Sequence, residues 1–153
     1  MNVLTTILVD LPNHWAAHGP ESLWARKVGD DLYLLVAVPF FAYDLNYRDV
    51  VRATWAGEGK RAVVREVVRR SGHTTLRIVF RDASGERERR LALLAELAPY
   101  KVSYEAWDDT FFALDVAPDG DLDAVIDVLE RLEREDVLGF ETCEARMPGS
   151  FDG

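Results

Sequence analysis

The stretch that decides the fold is TTLRIVFRDASGERERRLALLAELAP, residues 74–99. Its first seven residues, Thr74–Phe80, are rich in β-branched side chains, which is typical of a strand. The period then changes, because apolar residues recur at the spacing of one helix face: Leu91, Leu94, Ala95 and Ala98. Pro99 ends this pattern. The stretch therefore predicts a strand and then a helix over residues 86–98, starting from Ser84 or Gly85.

The same alternation continues after Pro99. Residues 102–107 and 110–116 predict a hairpin across Asp108-Asp109. Residues 122–134 predict a second amphipathic helix with Asp119 or Asp121 at its N-cap, and residues 140–147 predict a last strand. The order β-α-β-β-α-β is that of a ferredoxin-like unit, in which two helices cover one face of a four-stranded antiparallel sheet. We therefore predict a ferredoxin-like second half.

The chain before this stretch is rich in short strands and carries no matching helices. Strands are predicted at residues 3–9, 21–28, 32–38, 50–56 and 62–70, with glycine-containing turns between several of them. Such a series predicts a small β-barrel-like, curled antiparallel half. The fold class is therefore α+β. The predicted subdomains are residues 1–71 and 72–148, with a soft joint at Ser71-Gly72 and a tail at 149–153.

Composition limits the cellular setting. The 153 residues are 48% apolar, which is ample for a packed core, and no apolar run is long enough to cross a bilayer. The N-terminus lacks the cationic start of a secretory signal, and the single Cys143 has no partner for a disulfide. These features predict a protein of the cytoplasm that does not bind membranes.

The charge is concentrated near the C-terminus. Residues 1–100 carry 14 Lys and Arg against 12 Asp and Glu, whereas residues 101–153 carry 4 against 15. This field repels nucleic acid and would attract a basic protein or peptide, although a merely solubilising acidic surface explains it too. The carboxylates predicted to form an acidic partner face are Glu105, Asp108, Asp109, Asp127 and Glu130.

Residues 38–51, VPFFAYDLNYRDVV, form what we call the aromatic segment. It combines four aromatic rings with polar groups around Pro39, which suits either a bent structural crossover or a recognition surface. The residues predicted to bind a partner are Phe40, Phe41, Tyr43, Asp44, Asn46, Tyr47 and Asp49. An alternative places a small-molecule or enzyme pocket between the two halves, lined by residues 39–49, with Asp44 and Asp49 as acid and base.

No catalytic set, cofactor motif or metal array is predicted. His14 and His18 have the i, i+4 spacing of two metal ligands on a helix, but the neighbouring prolines and glycine predict a loop. Cys143, expected in the last strand, is predicted to be buried and inert. Asp119, Asp121 and Asp123 resemble part of a calcium loop, but helix capping explains them better.

Several segments together resemble the bacterial domain-of-unknown-function family 4265. The resemblance rests on Glu21-Ser22-Leu23-Trp24-Ala25, Leu32-Tyr33, Val38-Pro39-Phe40-Phe41-Ala42-Tyr43 and Asp49-Val50-Val51. Arg48 departs from it, because a small residue, often Gly, is expected there. The resemblance implies a compact bacterial cytoplasmic protein and no particular activity.

The leading functional prediction is a non-catalytic protein that engages a basic protein or peptide. A specific form is an immunity or antitoxin-like protein that masks a basic toxin. Self-association into a homodimer through the ferredoxin-like sheet is left open.

Overall fold

A computed structural model describes residues 3–11, 19–55 and 61–144 of the chain. The protein is a mixed α+β molecule whose sheets are mostly antiparallel. It divides into two compact units. The first contains the described residues up to His73 together with Cys143 and Glu144, and the second is Thr74–Thr142. The predicted joint at Ser71-Gly72 lies two residues before the observed division.

The first unit is a five-stranded curled sheet in which the strands follow one another in sequence order. The strands are β1 (Leu4–Val9), β2 (Glu21–Gly29), β3 (Leu32–Leu35), β4 (Val50–Trp55) and β5 (Ala62–Arg69). Consecutive strands are antiparallel, but the sheet closes into a barrel through a parallel pairing of β1 with β5, where Leu8 lies opposite Val63. The predicted curled sheet is confirmed, and its closing pair is the one parallel contact between these strands.

Alternate side chains of the barrel strands point inward and form an apolar core. This core includes Ile7, Val9, Leu23, Ala25, Leu35, Val51, Ala53 and Val64. Burial follows a two-residue period in β1, β2 and β3, as the pleat requires, whereas β5 is buried at three successive residues, Ala62–Val64. The barrel core therefore forms from the alternation that the sequence displays.

Strand β3 ends three residues earlier than predicted. The backbone N–H of Leu35 donates to the carbonyl of Asp49 at 2.9 Å, and its carbonyl accepts the N–H of Arg48 at 3.0 Å. The chain thus leaves the barrel just after Leu35, and the end of the aromatic segment returns beside Leu35. Most of the segment is a closed loop between β3 and β4, and only its last residues continue into β4.

The second unit contains four strands and two helices. They are β6 (Thr74–Phe80), α1 (Arg87–Ala95), β7 (Val102–Ala106), β8 (Phe111–Val116), α2 (Leu122–Arg134) and β9 (Leu138–Thr142). The strand order is β7-β8-β6-β9, and all neighbours are antiparallel. Side chains of one sheet face pack with both helices around a second apolar core that includes Leu76, Ile78, Leu94, Leu114 and Leu129.

The first predicted helix is shorter than expected. It begins at Arg87 with Glu86 as N-cap, so neither Ser84 nor Gly85 starts it. It ends at Ala95, because the N–H of Leu97 donates to the carbonyl of Leu94, three residues back, at 3.0 Å, and the chain continues into a 3-10 turn at Ala98–Tyr100 that contains Pro99. The prediction of helix to residue 98 was wrong for this reason.

The second helix is confirmed at residues 122–134. Its N-cap is Asp121, whose Oδ1 accepts the backbone N–H of Ala124 at 3.0 Å. The last strand, by contrast, begins and ends earlier than the predicted range of 140–147. Beyond Thr142 the chain leaves β6, and the carbonyl of Cys143 accepts the N–H of Asp44 in the first unit at 2.7 Å. Residues 145–147 lie outside the described part of the chain.

Candidate functional site

The aromatic segment is fixed near its start by one carboxylate. Glu21, the first residue of β2, is only 8% exposed. Its Oε2 accepts the backbone N–H of Phe40 at 2.7 Å, and its Oε1 accepts those of Phe41 at 3.1 Å and Ala42 at 2.9 Å. Three successive N–H groups around one anion form a nest of the kind that binds phosphates and carboxylates. Here the protein's own side chain occupies it.

A second carboxylate fixes the end of the same segment. Asp49 is fully buried, with 0% of its surface exposed. Its Oδ2 accepts the N–H of Asn46 at 3.0 Å, and its Oδ1 accepts the N–H of Ser71 at 2.8 Å. Both oxygens therefore bond to backbone amides, which is how a buried charge is made tolerable.

Asp44 occupies a tight bend between these two anchors. Its φ of 62° lies in the left-handed region, which Asp tolerates better than most residues. Arg70, about half exposed, donates to the Asp44 carbonyl at 2.6 Å and to Asp44 Oδ2 at 2.9 Å. One Arg70 nitrogen also lies 3.8 Å from Oδ2 of Asp49, so a single guanidinium bridges both acids.

Residues 71–73 contact the aromatic segment from the end of β5. The Ser71 hydroxyl donates to the carbonyl of Tyr47 at 2.7 Å and accepts the N–H of His73 at 3.1 Å. The His73 ring meets the Tyr47 ring edge to face, with centroids 5.2 Å apart. The arrangement joins the C-terminal half of the aromatic segment to the residues that follow β5.

The predicted binding residues fall into two groups. Tyr43, at 2% exposure, and Asp49 are buried. The other five are partly exposed: Phe40, Phe41, Asp44, Asn46 and Tyr47. Phe41 packs against the barrel core, and the Arg48 guanidinium lies 5.9 Å from the centre of the Tyr47 ring. The segment is thus brought together mainly by hydrogen bonds along its backbone.

Sequence reasoning missed Glu21, Arg70 and Ser71 as parts of this arrangement. The pattern did contain an indication of Glu21, because Glu21, Leu23 and Ala25 share the inward face of β2. A buried acid needs hydrogen-bond donors from within the protein. The position of Glu21 in the alternation of β2 alone could therefore have indicated that it binds backbone N–H groups. Nothing in the local sequence indicated Arg70 or Ser71, whose partners lie more than 20 residues away.

The acidic partner face consists of exposed residues on two separate parts of the second unit. Glu105 lies in β7, and Asp108 and Asp109 lie in the turn that follows. Asp127 and Glu130 lie on α2, which packs against β9, the strand at the other edge of the sheet. All five carboxylates are exposed, but they form two groups and not one cluster.

Asp108 is the most constrained of these residues. Its Oδ1 accepts the N–H of Phe111 at 2.7 Å, the N–H of Thr110 at 2.8 Å and the Thr110 hydroxyl at 3.1 Å. The backbone donors of Thr110 and then Phe111 hold the pKa of Asp108 below its ordinary value. The turn between β7 and β8 is therefore organised by an ionised side chain.

Other predicted features have ordinary structural surroundings. Asp119 pairs with Lys101, and Asp121 is the helix cap already described. Cys143 is buried as predicted, although it follows β9. His14 and His18 lie outside the described residues. Within the described ranges, no group of three or more His, Cys, Asp or Glu side chains is placed to hold a metal ion. The same ranges contain no helix with the length and apolarity needed to cross a membrane.

Fold and site together define a two-unit α+β protein whose aromatic loop is held by internal carboxylates. A family model described as a domain of unknown function, DUF4265, matches residues 21–140. The chain belongs to that family, which confirms the resemblance inferred from the sequence. Arg48, where the resemblance predicts a small residue, often Gly, has a φ of 72°, a conformation that glycine adopts without strain.

The fold has a counterpart among solved structures. The chain is similar to a hypothetical protein from Neisseria gonorrhoeae, with a TM-score of 0.74 and 20% sequence identity over 94% of this chain and 95% of that one. A likeness at this identity shows the shared fold alone. The chain has no match among curated proteins.

Proposed function

We propose that this protein is a non-catalytic binding protein that engages a basic protein or peptide in the bacterial cytoplasm. The observation that carries the proposal is the exposed acidic surface of the second unit. Within Thr74–Thr142, fifteen carboxylate side chains are exposed against six cationic ones, which are Arg81, Arg87, Arg89, Lys101, Arg131 and Arg134. A field of this kind speeds the approach of a positively charged partner.

The surface suits an inhibitor-like role. An immunity protein that masks a basic toxin needs rapid association and no chemistry of its own, and both requirements fit a rigid acidic surface. Three of the exposed carboxylates form ion pairs within the unit, Asp109 with Arg87, Asp119 with Lys101 and Asp136 with Arg81, and the excess of exposed acids over exposed cations remains. The proposal therefore extends to an immunity-like form of the binding protein.

The finer fold assignment belongs to the same proposal. We assign the second unit to the ferredoxin-like arrangement, supported by its β-α-β-β-α-β order and its all-antiparallel sheet. Numbered within the unit, the strand order is 4-1-3-2 from β9 to β7. This arrangement leaves β7 at one edge and displays the acidic helix α2 on one face.

The alternative of a pocket lined by residues 39–49 has less support. It requires Asp44 and Asp49 to act on a ligand, yet both Asp49 oxygens bond to backbone N–H groups and Asp44 pairs with Arg70. The third nearby acid, Glu21, holds three amides of the loop. These bonds give the acids a structural role, which favours the binding protein over an enzyme.

The test compares two charge-reversal variants of equal net charge. Asp127→Lys with Glu130→Lys changes the acidic helix, and Asp10→Lys with Asp30→Lys changes exposed acids of the first unit. The immobilised wild-type protein is first used to capture basic proteins from a lysate of the native host. A captured protein is purified, and the rate at which it associates with each variant is measured at low and high salt. We expect the α2 variant to slow association about tenfold at low salt, in line with electrostatic steering, and the control to change it far less.

Two results would overturn the proposal. One is an association rate that does not depend on ionic strength, and the other is an equal effect of both double variants. Circular dichroism of each variant ensures that a slower rate reflects the lost field and not a lost fold.

A further inference from the structure

We propose that the open side of strand β7 is the docking site, and that it accepts an extended segment of alternating basic and apolar residues as an added strand. The inference rests on the proposed function, because it specifies where and how the basic partner is held. It combines three observations: the unpaired edge of β7, the exposed aromatic side chains along it, and the acidic groups beside it.

The backbone pattern of the β7–β8 hairpin shows which groups face outward. The N–H of Trp107 donates to Phe111 at 2.9 Å, and the carbonyl of Lys101 accepts from Ala117 at 3.1 Å. Odd-numbered residues of β7 therefore bond to β8, and the backbone groups of the even-numbered ones point away from it: Val102, Tyr104 and Ala106. Among the described residues, no strand pairs with that side.

The opposite edge of the same sheet does not offer such a site. Residues of β9 are buried or half-buried, and α2 packs against this strand. In β7, by contrast, every residue from Ser103 to Ala106 is exposed. An added strand therefore finds room at β7 and not at β9.

Two aromatic side chains mark the open edge. Trp107 is 57% exposed and Tyr104 is 42% exposed, although each leans on a partner ring. The Tyr104 ring meets that of Phe112 edge to face at 5.8 Å, and the Trp107 ring lies 6.5 Å from that of Phe111. Partly exposed but laterally supported Tyr and Trp residues are the usual anchors of protein interfaces.

Alternation along β7 sets the chemistry of the incoming segment. Glu105 and Trp107 lie on one face of the sheet, and Tyr104 lies on the other, with the helices. Side chains of an added strand that share the Glu105 face meet a carboxylate, with Asp108 and Asp109 just beyond. Those that share the Tyr104 face meet an aromatic ring. A segment with Lys or Arg at every second position and apolar residues between them fits both faces.

A second copy of this protein fits the edge poorly. Strand β7 contains no Lys or Arg, so a second copy would offer no cation to Glu105, and a pairing that sets the two Glu105 side chains opposite each other would be destabilised by their like charges. The occupant that fits this edge is therefore the basic segment of a different protein.

The test uses the chain of 153 residues and a synthetic peptide of alternating lysine and valine, seven residues long. We expect it to slow hydrogen exchange at the Tyr104 and Ala106 amides, which face the open side. One control peptide has glutamate in place of lysine, and a second carries N-methyl groups at alternate amides. Both should bind at least tenfold more weakly than the lysine–valine peptide. Equal binding of all three peptides, or no protection in β7, would overturn the inference.

Two variants separate this site from a general charge effect. Ala106→Pro removes an open-side donor without removing a β7–β8 hydrogen bond, and Glu105→Lys reverses the charge at the edge. Both variants should bind the lysine–valine peptide at least tenfold more weakly than the wild type, and Glu105→Lys should bind the glutamate peptide more tightly. Asp30→Lys, at an exposed acid of the first unit, is the matched control and should change peptide affinity less than threefold. Circular dichroism shows that each variant folds.

The natural partner distinguishes the two proposals. If its binding remains sensitive to salt and to the α2 charges but unaffected by Ala106→Pro and Glu105→Lys, the docking site is refuted and the proposed function stands. If no salt-dependent basic partner binds, the proposed function itself fails. Protection of β7 amides in the absence of peptide, lost in Ala106→Pro and accompanied by dimers in sedimentation, would show that a second copy occupies the edge and overturn the assignment.

Discussion

The carboxylate of Glu21 accepts the backbone N–H of Ala42 at 2.9 Å, across 21 residues of chain. The same side chain also holds the two preceding N–H groups, so the first residue of β2 determines the path of the loop that follows β3. An acid buried at the barrel end thereby acts as a structural anion, in the place where a bound ligand's carboxylate or phosphate would fit.

Two replacements of Glu21 should destabilise the protein to different extents. Glu21→Gln retains an oxygen for Phe41 and Ala42 but turns an NH₂ group toward the N–H of Phe40. Glu21→Ala leaves all three donors without that acceptor. Because a buried unsatisfied donor costs about 1–3 kcal/mol, we expect the alanine variant to lose more unfolding free energy than the glutamine variant. Urea denaturation followed by fluorescence measures both.

Anion binding provides a second readout for the same position. If the nest of residues 40–42 retains its shape in Glu21→Ala, added acetate or phosphate should recover part of the lost stability, because it can accept the same N–H groups. Chloride at equal ionic strength is the control. Equal stabilities of wild type, Glu21→Gln and Glu21→Ala would contradict the assigned role.

Replacement of Asp49 should cost more stability than replacement of Asp44, the other acid of the aromatic segment. Asp49→Asn preserves shape but places an NH₂ group against the N–H of either Asn46 or Ser71. We expect a loss of about 1–3 kcal/mol, since one buried donor is left unsatisfied. Asp44→Asn, at a partly exposed acid paired with half-exposed Arg70, should cost less than 1 kcal/mol. Paired chemical denaturation curves test this order, and the reverse order would refute it.

The elements of the second unit could be predicted because their patterns are local. Helix α2 carries its apolar stripe and its Asp121 cap within a few residues of each other, and its bounds agree with the prediction. Strand β6 likewise agrees at both ends. The end of α1 was misplaced, because the tightening after Ala95 depends on the turn geometry around Pro99 and not on the hydrophobic period.

The arrangement of the aromatic segment could not be predicted to the same extent. Its composition correctly indicated a bend, but the bonds that Glu21 and Arg70 make to it join residues 19 to 26 positions apart. Nothing in the local pattern specifies such pairs, although the inward phase of Glu21 indicates that it needs donors. The last strand was misplaced for a related reason, since the N–H of Asp44 draws Cys143 away from β6.

Arg48 provides a backbone test. Its φ of 72° costs a non-glycine residue about 1–2 kcal/mol, whereas glycine adds about 0.5–1 kcal/mol of unfolded-state entropy. We therefore expect Arg48→Gly to match or exceed the wild-type stability and Arg48→Val to fall below it, because a β-branched residue is strained at positive φ. Arg69→Gly in β5 is the control and should be destabilising. Thermal unfolding distinguishes these outcomes, and a less stable Arg48→Gly would count against the strained conformation.

The stability of the folded protein should depend on pH through Asp108. Its pKa is lowered in the folded protein by the N–H groups of Thr110 and Phe111, so the folded state favours the ionised form. The associated stability is complete above the ordinary Asp pKa and is lost as the pH falls through the lowered, folded-state value. We expect this loss in wild type and its absence in Asp108→Asn, measured by denaturation across acidic pH. Thr110→Val removes only the hydroxyl bond, so carboxyl NMR should still show a lowered pKa of Asp108. A return of that pKa to the ordinary value in Thr110→Val would show that the hydroxyl, and not the backbone, organises the turn.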